Sequence, residues 1–497
     1  MALRLYNSMS RQLEAFEPLK APDVSFYKCG VTVYGPAHLG HGKSAIAFDV
    51  MVRWLRLSGY NVRYLQNITD VGHLTDDADD GEDKIVREAR RRGLHPMAIV
   101  ETFMRSWLDD MDSLFMLRPD IMPRAAGHIP EQLELIETLV RKGHAYVVDG
   151  SVYFDVSTFP DYGKLSGRTV EEQEAGARVE VRSEKRHPAD FALWKRAEPG
   201  HIMQWKSPWG LGFPGWHAEC SAMAMLYLGE TIDIHGGGLD NQFPHHECEI
   251  AQSEAATGKP FVRYWLHNNM CTINGQKMAK SLGNGVTIRD ILTTEKPLLD
   301  REGRLLVERR FDPAVVRHFI LTSHYRQTQD FSNDSLLAAE SGNHKLRDLT
   351  RELIAAAQAG PVRGAVSPAV QTVIDDLMKD FSAAMNDDFN TANAIASLFE
   401  FARHARAWLT DAVGREDAAA AAAAMTRFAS DGLGLYWPAT SGAAASKQDD
   451  LIRMLTEMRQ EARKAKNFAL SDQIRDRLLA LGVELRDGPQ GTTWSVK

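Results

Sequence analysis

The sequence predicts an α/β fold whose core contains a parallel sheet, is split by an insertion, and is followed by an α-helical domain and a small α+β C-terminal domain. A strand–helix–strand pattern near the N-terminus is the first observation. The apolar residues 24–33 predict a buried strand, a helix is expected to begin near Gly42, and residues 61–70 predict a second strand. Connections of this kind join parallel strands, and ligands bind beyond the carboxyl ends of such strands.

The same pattern returns after residue 215, which is the second observation. Residues 216–229 predict a helix with a glycine stop, and a strand, a glycine-rich turn (HGGGLD) and a helix beginning at Pro244 follow. In between, residues 119–215 carry a hairpin signal at Asp149-Gly150 and a polar loop. We therefore expect these residues to form an insertion that interrupts the core.

Helical spacing over residues 336–437 is the third observation. Alanine and leucine are frequent there, and the run Ala418–Ala424 predicts a helix of modest packing value. Residues 438–447 predict a flexible linker. Two helices separated near Asn467, and a two-stranded ribbon that turns at GPQG, are expected to complete the C-terminal domain.

Composition and charge limit the class of protein. The chain has 497 residues, 44% of them hydrophobic, and a net charge of −8, which argues against a protein that coats nucleic acid. Residues 447–497 carry ten Lys/Arg against eight Asp/Glu, which permits a nucleic-acid contact there. No segment has the pattern of a signal peptide, and no run of 18 apolar residues occurs, so we expect a cytoplasmic protein without a membrane span.

The turn between the first strand and its helix contains the sequence HLGH. A helix N-terminus presents free backbone N–H groups that attract anions. His38 and His41 lie in this turn, close enough to contact one phosphate chain. A capped turn with two exposed histidines explains the tetrapeptide equally well.

Four cysteines are too few for a disulfide scaffold in a chain of this length. His245 and Glu249 are four residues apart, on one face of the predicted helix. With Cys29 and Cys220 they form a plausible set of four zinc ligands. His246 and Cys248 are rivals on the same helix that spacing alone does not exclude, and a packing role for the cysteines also remains open.

A second basic motif follows at residues 273–284, INGQKMAKSLGN. Asn274-Gly275 predicts a hairpin turn that carries Lys277, Lys280 and Ser281. Two lysines near a phosphate site would neutralise the charge that develops on departing pyrophosphate. A solvated basic loop is the alternative for this motif. For the separate acidic residues 76–83, we expect either a solvated loop or a Mg²⁺ site.

HLGH and KMAKS resemble the two signature motifs of the class I aminoacyl-tRNA synthetases. Further stretches resemble the cysteinyl-tRNA synthetase family, in the right order from Leu5 to Trp494: YKCGVTVYGPAHLGH, QNITD, GWHAECSAM, DIHGGGLDNQFPHHECEIAQ, HYRQTQDFS, DDFNTANAI and LGVELRDGPQGTTW. The chain departs from the family pattern at Ala279 and at Phe468, where an aromatic ring is kept. It also contains an extra segment at residues 293–310, which we expect to be a solvated surface insertion.

The resemblance implies a division of the chain. The expected parts are a Rossmann-like catalytic domain (1–118 and 216–275), a connective insertion (119–215), a region with the KMSKS loop and the stem contact (276–335), a helical domain (336–437) and a C-terminal anticodon-binding domain (448–497).

The resemblance also implies roles for individual residues. Catalysis is assigned to His38, His41, Lys277 and Lys280. ATP binding is assigned to His38, Gly40, His41, His235, Gly236, Gly237, Lys277, Lys280 and Ser281. Cysteine binding is assigned to Thr69, Trp216 and Asp240, zinc binding to Cys29, Cys220, His245 and Glu249, and anticodon binding to Arg463, Asp472 and Asp487.

The implied reaction activates L-cysteine with ATP and Mg²⁺ to cysteinyl-adenylate and transfers it to the 3′ end of tRNA(Cys). One zinc ion per chain would select cysteine over serine, and a monomer is expected. Two rivals remain at this point. The first is a cysteine:amino-sugar ligase, which shares the catalytic half but lacks the C-terminal domain. The second is a non-catalytic relative that only binds tRNA, in which we would not expect the phosphate motifs to be intact.

Overall fold

The computed structural model describes residues 2–74, 83–168, 184–199, 201–278, 282–410, 413–437, 442–465, 467–488 and 491–496. The chain divides into two compact units, which cover residues 1–436 and 437–497. The acidic residues 76–82, the polar residues 171–183, and the predicted ATP-binding residues Lys280 and Ser281 lie outside the described part.

Strands occur between residues 4 and 331 of the first unit and at the end of the second unit. In chain order they are β1 (Arg4–Asn7), β2 (Gln12–Ala15), β3 (Asp23–Thr32), β4 (Asn61–Thr69), β5 (Ala145–Val148), β6 (Ser151–Phe154), β7 (Phe191–Arg196), β8 (Trp205–Ser207), β9 (Gly210–Pro214), β10 (Ile232–Gly238), β11 (Val262–Asn268), β12 (Cys271–Ile273), β13 (Gln276–Lys277), β14 (Leu298–Leu299), β15 (Leu305–Val307), β16 (Gln329–Phe331), β17 (Val483–Gly488) and β18 (Gly491–Val496).

Helices connect the strands and dominate the region after residue 332. In chain order they are α1 (Leu39–Leu57), α2 (Lys84–Arg92), α3 (Pro96–Ser113), α4 (Ile129–Lys142), α5 (Trp216–Leu228), α6 (Glu247–Thr257), α7 (Ile288–Thr293), α8 (Pro313–Leu321), α9 (Asn333–Ala359), α10 (Pro368–Met385), α11 (Thr391–Thr410), α12 (Arg415–Met425), α13 (Gly442–Lys464) and α14 (Phe468–Ala480). Among the described residues, no helix is both long and apolar enough to cross a membrane.

A four-stranded parallel sheet in the order β11-β10-β3-β4 is the centre of the first unit. The pairing of β3 with β4 shifts in register between Lys28 and Val31. Gly30 lies at this shift, where an added β-carbon would be 1.6 Å from the carbonyl oxygen of Asn67. Glycine is therefore required where β3 approaches its neighbour most closely, directly beside Cys29.

Helices cover both faces of this sheet because side chains alternate along each strand. On one face the ring of Phe26 meets that of Phe48 in α1, at a centroid distance of 6.1 Å. Tyr27 and Cys29 point to the other face and share a core cluster with Cys220 of α5 and Ile250 of α6. The two predicted cysteine ligands are thus brought to the same face.

The glycine-rich stretch after His235 continues β10 as far as Gly238, so the expected turn is wrong. Gly236, Gly237 and Gly238 pair with residues of β11 in parallel register. An added β-carbon on Gly236 would lie 2.1 Å from the ring of Phe48. The glycines here allow α1 to pack closely on the strand, and this packing extends the strand where the sequence predicted a turn.

Two helix starts differ from the predicted ones. Helix α1 begins at Leu39 instead of near Gly42 because the side chain of His38 accepts a hydrogen bond from the first turn and so caps the helix. Helix α6 begins at Glu247 instead of Pro244. Phe243 is extended (φ −140°, ψ 132°), as residues before proline prefer to be, and Gln242–His246 form a π-helical turn.

Residues 145–214 contain an antiparallel five-stranded sheet in the order β5-β6-β7-β9-β8. Asp149 and Gly150 have positive φ (48° and 86°) and form the predicted hairpin turn. A core cluster joins this sheet to α4, α5 and α6, with Phe154, Phe191 and Trp194 at its centre.

A small sheet lies beyond the carboxyl end of β11. Strand β12 pairs in parallel with β16 and antiparallel with β13, and the predicted turn at Asn274-Gly275 connects β12 to β13. The segment 293–310 contains the hairpin of β14 and β15. Its Leu306 and Val307 are buried, so the expectation of a solvated insertion is wrong for these residues.

Helices α9–α12 form the last part of the first unit. Helix α12 packs on α9 and buries Ala418 and Ala421 completely. The predicted helix is therefore present, and its small alanine side chains lie in the contact with α9.

The second unit contains α13, α14 and the ribbon of β17 and β18 around a small core of Ile452, Ile474, Leu478 and Val483. Asn467 caps α14, at the predicted break between the helices. The flexible linker expected over 438–447 is wrong from Gly442 onward, where α13 begins. The alanines at residues 443–445 favour a helix.

Candidate active site and metal centre

His38 and His41 form a reciprocal cap at the N-terminus of α1. His38 Nδ1 accepts from the backbone N–H of His41, and His41 Nδ1 accepts from that of His38, each at 3.3 Å. The two rings stack at a centroid distance of 3.6 Å. An imidazole whose Nδ1 accepts a hydrogen bond carries its proton on Nε2 when it is neutral. In the neutral form, both histidines therefore carry their proton on Nε2.

The electrostatic setting of His41 favours its neutral form. Burial, the neighbouring His38 and the ammonium of Lys28 lower the pKa of His41 well below its ordinary value. Lys28 is itself buried, donates to the backbone carbonyl of Cys29 at 3.1 Å, and has a pKa lowered to about 8 by burial. A cationic group thus lies near the two imidazoles, at the positive end of α1.

The four predicted zinc ligands are brought together and are all buried. One donor atom each of Cys29, Cys220, His245 and Glu249 lies within 4.8 Å of the others. Nε2 of His245 is 3.5 Å from Cys220 Sγ and 3.1 Å from Glu249 Oε1, and Glu249 Oε1 is 3.7 Å from Cys29 Sγ. Two sulfurs, one imidazole nitrogen and one carboxylate oxygen are a donor set that suits zinc.

A second set of donors overlaps with the first. Cys29 and Glu249 also lie within 4.8 Å of His235 and His246. His246 Nε2 is 3.2 Å from Cys29 Sγ, and His235 Nε2 is 2.8 Å from Glu249 Oε2. Cys248 instead contacts the hydroxyl of Tyr162 at 3.4 Å and belongs to the core of the insertion. Of the two sets, the one with two thiols fits zinc better.

Further histidines surround the candidate ligands. His217 Nδ1 lies 2.9 Å from His245 Nδ1, and His267 Nε2 lies 2.8 Å from His246 Nδ1. Metal-binding histidines usually have such a partner on the nitrogen that does not face the metal. Sequence reasoning missed His217 and His267 because each is a single histidine in an apolar segment.

Burial is the largest influence on the pKa values of the two thiols. It raises the pKa of Cys29 to about 11 and that of Cys220 well above its ordinary value, and Glu249 contributes in the same direction. A divalent cation would reverse this effect, because the thiolate is the form that binds metal.

Of the predicted cysteine-binding residues, Trp216 contacts this cluster directly, through the ring of His245. Thr69, at the end of β4, donates to Glu219 Oε1. Trp216 is stacked between His73 and His245, at centroid distances of 4.1 and 4.2 Å. Asp240 is exposed in the 3₁₀ turn Leu239–Asn241 after β10.

Glu219 is a further carboxyl group that sequence reasoning missed. It is 1% exposed, and its Oε2 has no hydrogen-bond partner among the described residues. Burial raises its pKa well above the ordinary value, with a further contribution from Asp70. Asp70 is equally buried and follows Thr69 at the end of β4.

Among the predicted ATP-binding residues, Gly40 lies in the first turn of α1, between the two signature histidines. His235, Gly236 and Gly237 are buried in β10. Nε2 of His235 lies 2.8 Å from Glu249 Oε2, and this contact connects the histidine with the candidate metal ligands.

Lys277 lies exposed at the end of β13, opposite Thr272 of β12. The chain that returns from this loop pairs with the first signature motif. Leu39 N–H donates to Val286 O and Ile288 N–H donates to Ala37 O, both at 2.9 Å. Two segments that are far apart in sequence are thereby joined through their backbones.

The predicted anticodon residues belong to the second unit. Arg463 is exposed on α13, Asp472 is exposed on α14 and forms an ion pair with Arg475 at 3.5 Å, and Asp487 is part of β17. Phe468, the first residue of α14, exposes 60% of its surface.

Comparison with known proteins identifies relatives over the full chain. A family profile described as the catalytic domain of class I (C) tRNA synthetases matches residues 15–341, and one described as a DALR domain matches residues 380–436. A cysteine–tRNA ligase from Chlorobium chlorochromatii is 53% identical over 100% of both chains, and one from Thermus thermophilus is 46% identical over 100% of both.

Solved structures support the fold alone. A Mycobacterium tuberculosis methionyl-tRNA synthetase in complex with methionyl-adenylate aligns with a TM-score of 0.55 and 15% identity, covering 83% of this chain and 90% of that one. The parallel sheet with its helices therefore has the class I synthetase fold. Together with the full-length relatives, these findings show that the chain belongs to the cysteine–tRNA ligase family of the class I aminoacyl-tRNA synthetases.

Proposed function

We propose that the chain activates L-cysteine with ATP to cysteinyl-adenylate, selects cysteine over serine with a bound zinc ion, and transfers the cysteinyl group to the 3′ end of tRNA(Cys). The observation that carries this proposal is the buried donor set of Cys29, Cys220, His245 and Glu249. Cys29 lies on β3, the strand that also leads into the HLGH turn. The names of the full-length relatives support the overall reaction.

Zinc fits the donor set because it prefers thiolate and imidazole ligands and tolerates one carboxylate oxygen. When bound, the zinc ion would supply a position that accepts the thiolate of cysteine and takes the neutral hydroxyl of serine poorly. Packing alone would discriminate between the two by only about 1–3 kcal/mol. Glu249 is the hardest of the four donors and already shares its carboxylate with His235, so it is the ligand we expect to be displaced most easily.

The activation step requires groups that stabilise the charge on the phosphates of ATP and its Mg²⁺. His38 and His41 would donate from Nε2, and the N-terminus of α1 would add its free backbone N–H groups. Lys277 and Lys280, with Ser281, would neutralise the pyrophosphate as it leaves. Gly40, Gly236 and Gly237 would allow the nucleotide to approach the backbone, and His235 would lie beside them.

Cysteine would be held by groups around the metal cluster. Trp216, fixed by the ring stack described above, would cover the side chain of the substrate. Thr69 would present its hydroxyl at the end of β4, and the exposed Asp240 would attract the α-ammonium group. Positioning of this kind accounts for most of the catalysis, since the attack of the carboxylate on ATP needs no covalent intermediate with the enzyme.

The second unit would read the anticodon of the tRNA. Arg463, Asp472 and Asp487 offer the donors and acceptors that base edges require, and Phe468 offers a ring for stacking. We further propose the division of the chain into a catalytic domain (1–118 and 216–275), a connective insertion (119–215), a KMSKS-loop and stem-contact region (276–335), a helical domain (336–437) and an anticodon domain (448–497). The expected monomer and the expected cytoplasmic location stay predictions.

Cysteine-dependent exchange of pyrophosphate into ATP tests the activation step directly. The wild-type protein should show exchange with cysteine and very little with serine, and should then charge tRNA(Cys). Exchange without any charging of tRNA, but with transfer to an amino sugar, would instead identify a cysteine:amino-sugar ligase. A protein that binds tRNA without exchange would refute the enzymatic proposal.

A further inference from the structure

A buried lysine connects the helix of the first signature motif to the sheet that carries the second. Lys43 lies on α1, two residues after His41, and is 1% exposed. Its Nζ donates to the backbone carbonyl of Met270 at 3.0 Å and to that of Gln327 at 2.6 Å. Lysine is almost never buried to this degree without a partner, so the two carbonyls explain how its ammonium is accommodated.

The two carbonyls belong to residues that lead into neighbouring strands. Met270 directly precedes β12, and Gln327 lies two residues before β16. The carbonyl of Met270 also accepts from the N–H of Gln329, which begins the pairing of these strands. Lys43 therefore contacts the sheet at the point where β12 and β16 come together.

The same sheet carries Lys277. Strand β13 pairs with β12, with Thr272 opposite Lys277, so the position of β12 sets the position of this lysine. The other end of the loop is attached to the HLGH turn through the backbone pairs of Leu39 with Val286 and of Ala37 with Ile288. Both ends of the segment 277–286 are thus tied to residues 37–43.

The chemistry of the contact argues against a role in packing alone. Lys43 borders a small cavity with Met51, Tyr325 and Phe389, where an apolar side chain would bury more favourably. Burial lowers the pKa of Lys43 to about 8. Among the contacts described, no carboxylate compensates for this cost, so what the ammonium adds is a directional link to two specific carbonyls.

We propose that Lys43 is a positioning residue for ATP activation, which fixes the strands beside the Lys277 loop relative to His38 and His41. This inference rests on the proposed function, because it assumes that the two motifs act on one ATP molecule. A displacement of about 1 Å between catalytic groups can reduce a rate about 100-fold. Loss of the link is therefore expected to act on the activation step and not on transfer to tRNA.

The test uses the full chain with Lys43→Met, which keeps the length of the side chain and removes its donors. We expect kcat of cysteine-dependent pyrophosphate exchange to fall about 10- to 100-fold, with unchanged KM for cysteine and unchanged zinc content. Transfer from preformed cysteinyl-adenylate to tRNA(Cys) should proceed at the wild-type rate. Met51→Ala is the matched control, because it lies on the same helix and borders the same cavity without touching the carbonyls.

The outcomes separate this inference from the proposed function. Absence of exchange in the wild-type protein would refute the proposed function itself. If the wild type shows normal exchange, two results would overturn the role of Lys43 alone. One is normal exchange in Lys43→Met, and the other is a loss of exchange in Met51→Ala as large as that in Lys43→Met. An equal loss in both reaction steps would also overturn it. If Lys43→Met does not fold, Lys43→Gln replaces it, because glutamine keeps N–H donors on a shorter side chain. This variant should show the same pattern of losses at smaller amplitude. Exchange at the wild-type rate in Lys43→Gln would refute the proposal.

Discussion

His217 and His245 share a hydrogen bond between their Nδ1 atoms, 2.9 Å apart, in a region closed to solvent. Burial, followed by the charge of His217, lowers the pKa of His245 well below its ordinary value. Only one of the two nitrogens can carry the proton of a neutral pair. If His245 Nε2 binds a metal, His245 carries its proton on Nδ1. His217 Nδ1 then accepts the hydrogen bond from it.

The first prediction follows from this arrangement. His217→Leu removes the acceptor, and we expect zinc affinity to fall about 10- to 100-fold. His217→Asn is the matched control, since its Oδ1 offers an acceptor near the position of Nδ1 and should retain most of the affinity. Competition with a chromophoric chelator measures both. Equal affinity in His217→Leu and the wild type would show that the ring of His245 is oriented without this contact.

The second prediction concerns the ligands themselves. The purified protein should contain one zinc ion per chain, and Cys220→Ser should lose most of it because a neutral hydroxyl is a poor zinc ligand. Cys248→Ser changes a buried cysteine whose described contact is with Tyr162, and it should keep both metal and activity. Elemental analysis measures the zinc content of the wild type and of each variant. A loss of zinc in Cys248→Ser but not in Cys29→Ser would refute the proposed set.

The third prediction concerns the basic loop. Lys280→Ala should reduce kcat and kcat/KM of pyrophosphate exchange together, because its charge is needed mainly as pyrophosphate departs. The KM for cysteine should not change. Lys296→Ala removes an exposed lysine outside the motif and serves as the control. A change in the KM for ATP alone would reduce the role of Lys280 to nucleotide binding.

The fourth prediction concerns the second unit. A chain that ends after Trp437 keeps the whole first unit, and its zinc content and cysteine-dependent exchange should be preserved. Charging of tRNA(Cys) should fall steeply because the proposed anticodon contacts would be lost. In the full chain, Asp487→Ala should cost about 1–3 kcal/mol of tRNA discrimination. Normal charging by the shortened chain would exclude the second unit as the anticodon reader.

The fifth prediction concerns pH. Burial lowers the pKa of Lys43 to about 8, against an ordinary value of 10.5, while Cys271 opposes this shift. The folded chain therefore binds this proton more weakly than the unfolded chain. The free-energy cost of burying the charged ammonium is largest below pH 8. Between pH 8 and 10.5 the wild type should gain free energy of unfolding relative to Lys43→Met, by up to about 1.4 kcal/mol per pH unit. Urea unfolding across this range measures the difference.

A control addresses the neighbouring thiol. The comparison should be repeated with Cys271→Ala in both proteins, since the pKa of Cys271 is raised to about 11 by burial and its titration overlaps at high pH. A difference in stability between wild type and Lys43→Met that stays constant with pH would contradict the burial of a charged ammonium.

Local sequence patterns predicted those features that depend on neighbours in the chain. The hairpin turns at Asp149-Gly150 and Asn274-Gly275 are confirmed, because positive φ at such positions has few alternatives. His245 and Glu249 are in contact as their spacing predicts. The fold class is confirmed as well, since alternating strand and helix signals leave few arrangements for a parallel sheet.

Features that depend on distant contacts were not predictable in the same way. Gly236 to Gly238 form a strand and not a turn because β11 and Phe48 lie beside them, and neither is close in sequence. The described contacts of His217, His267 and Lys43 that support their proposed roles are with residues on other elements. The start of α13 at Gly442 was missed because proline, serine and glycine at residues 438–442 resemble a linker, whereas the alanines that follow continue into a helix.

The strand order β11-β10-β3-β4 has a consequence for synthesis on the ribosome. Strand β3 is complete after 32 residues and can pair with β4 soon afterwards, but its other neighbour, β10, begins only at Ile232. At about 5–20 residues per second, the open edge of β3 waits roughly 10 to 40 seconds for its partner. Until β10 is made, this edge of β3 has no partner strand within the sheet, and an unpaired strand edge tends to pair with other chains.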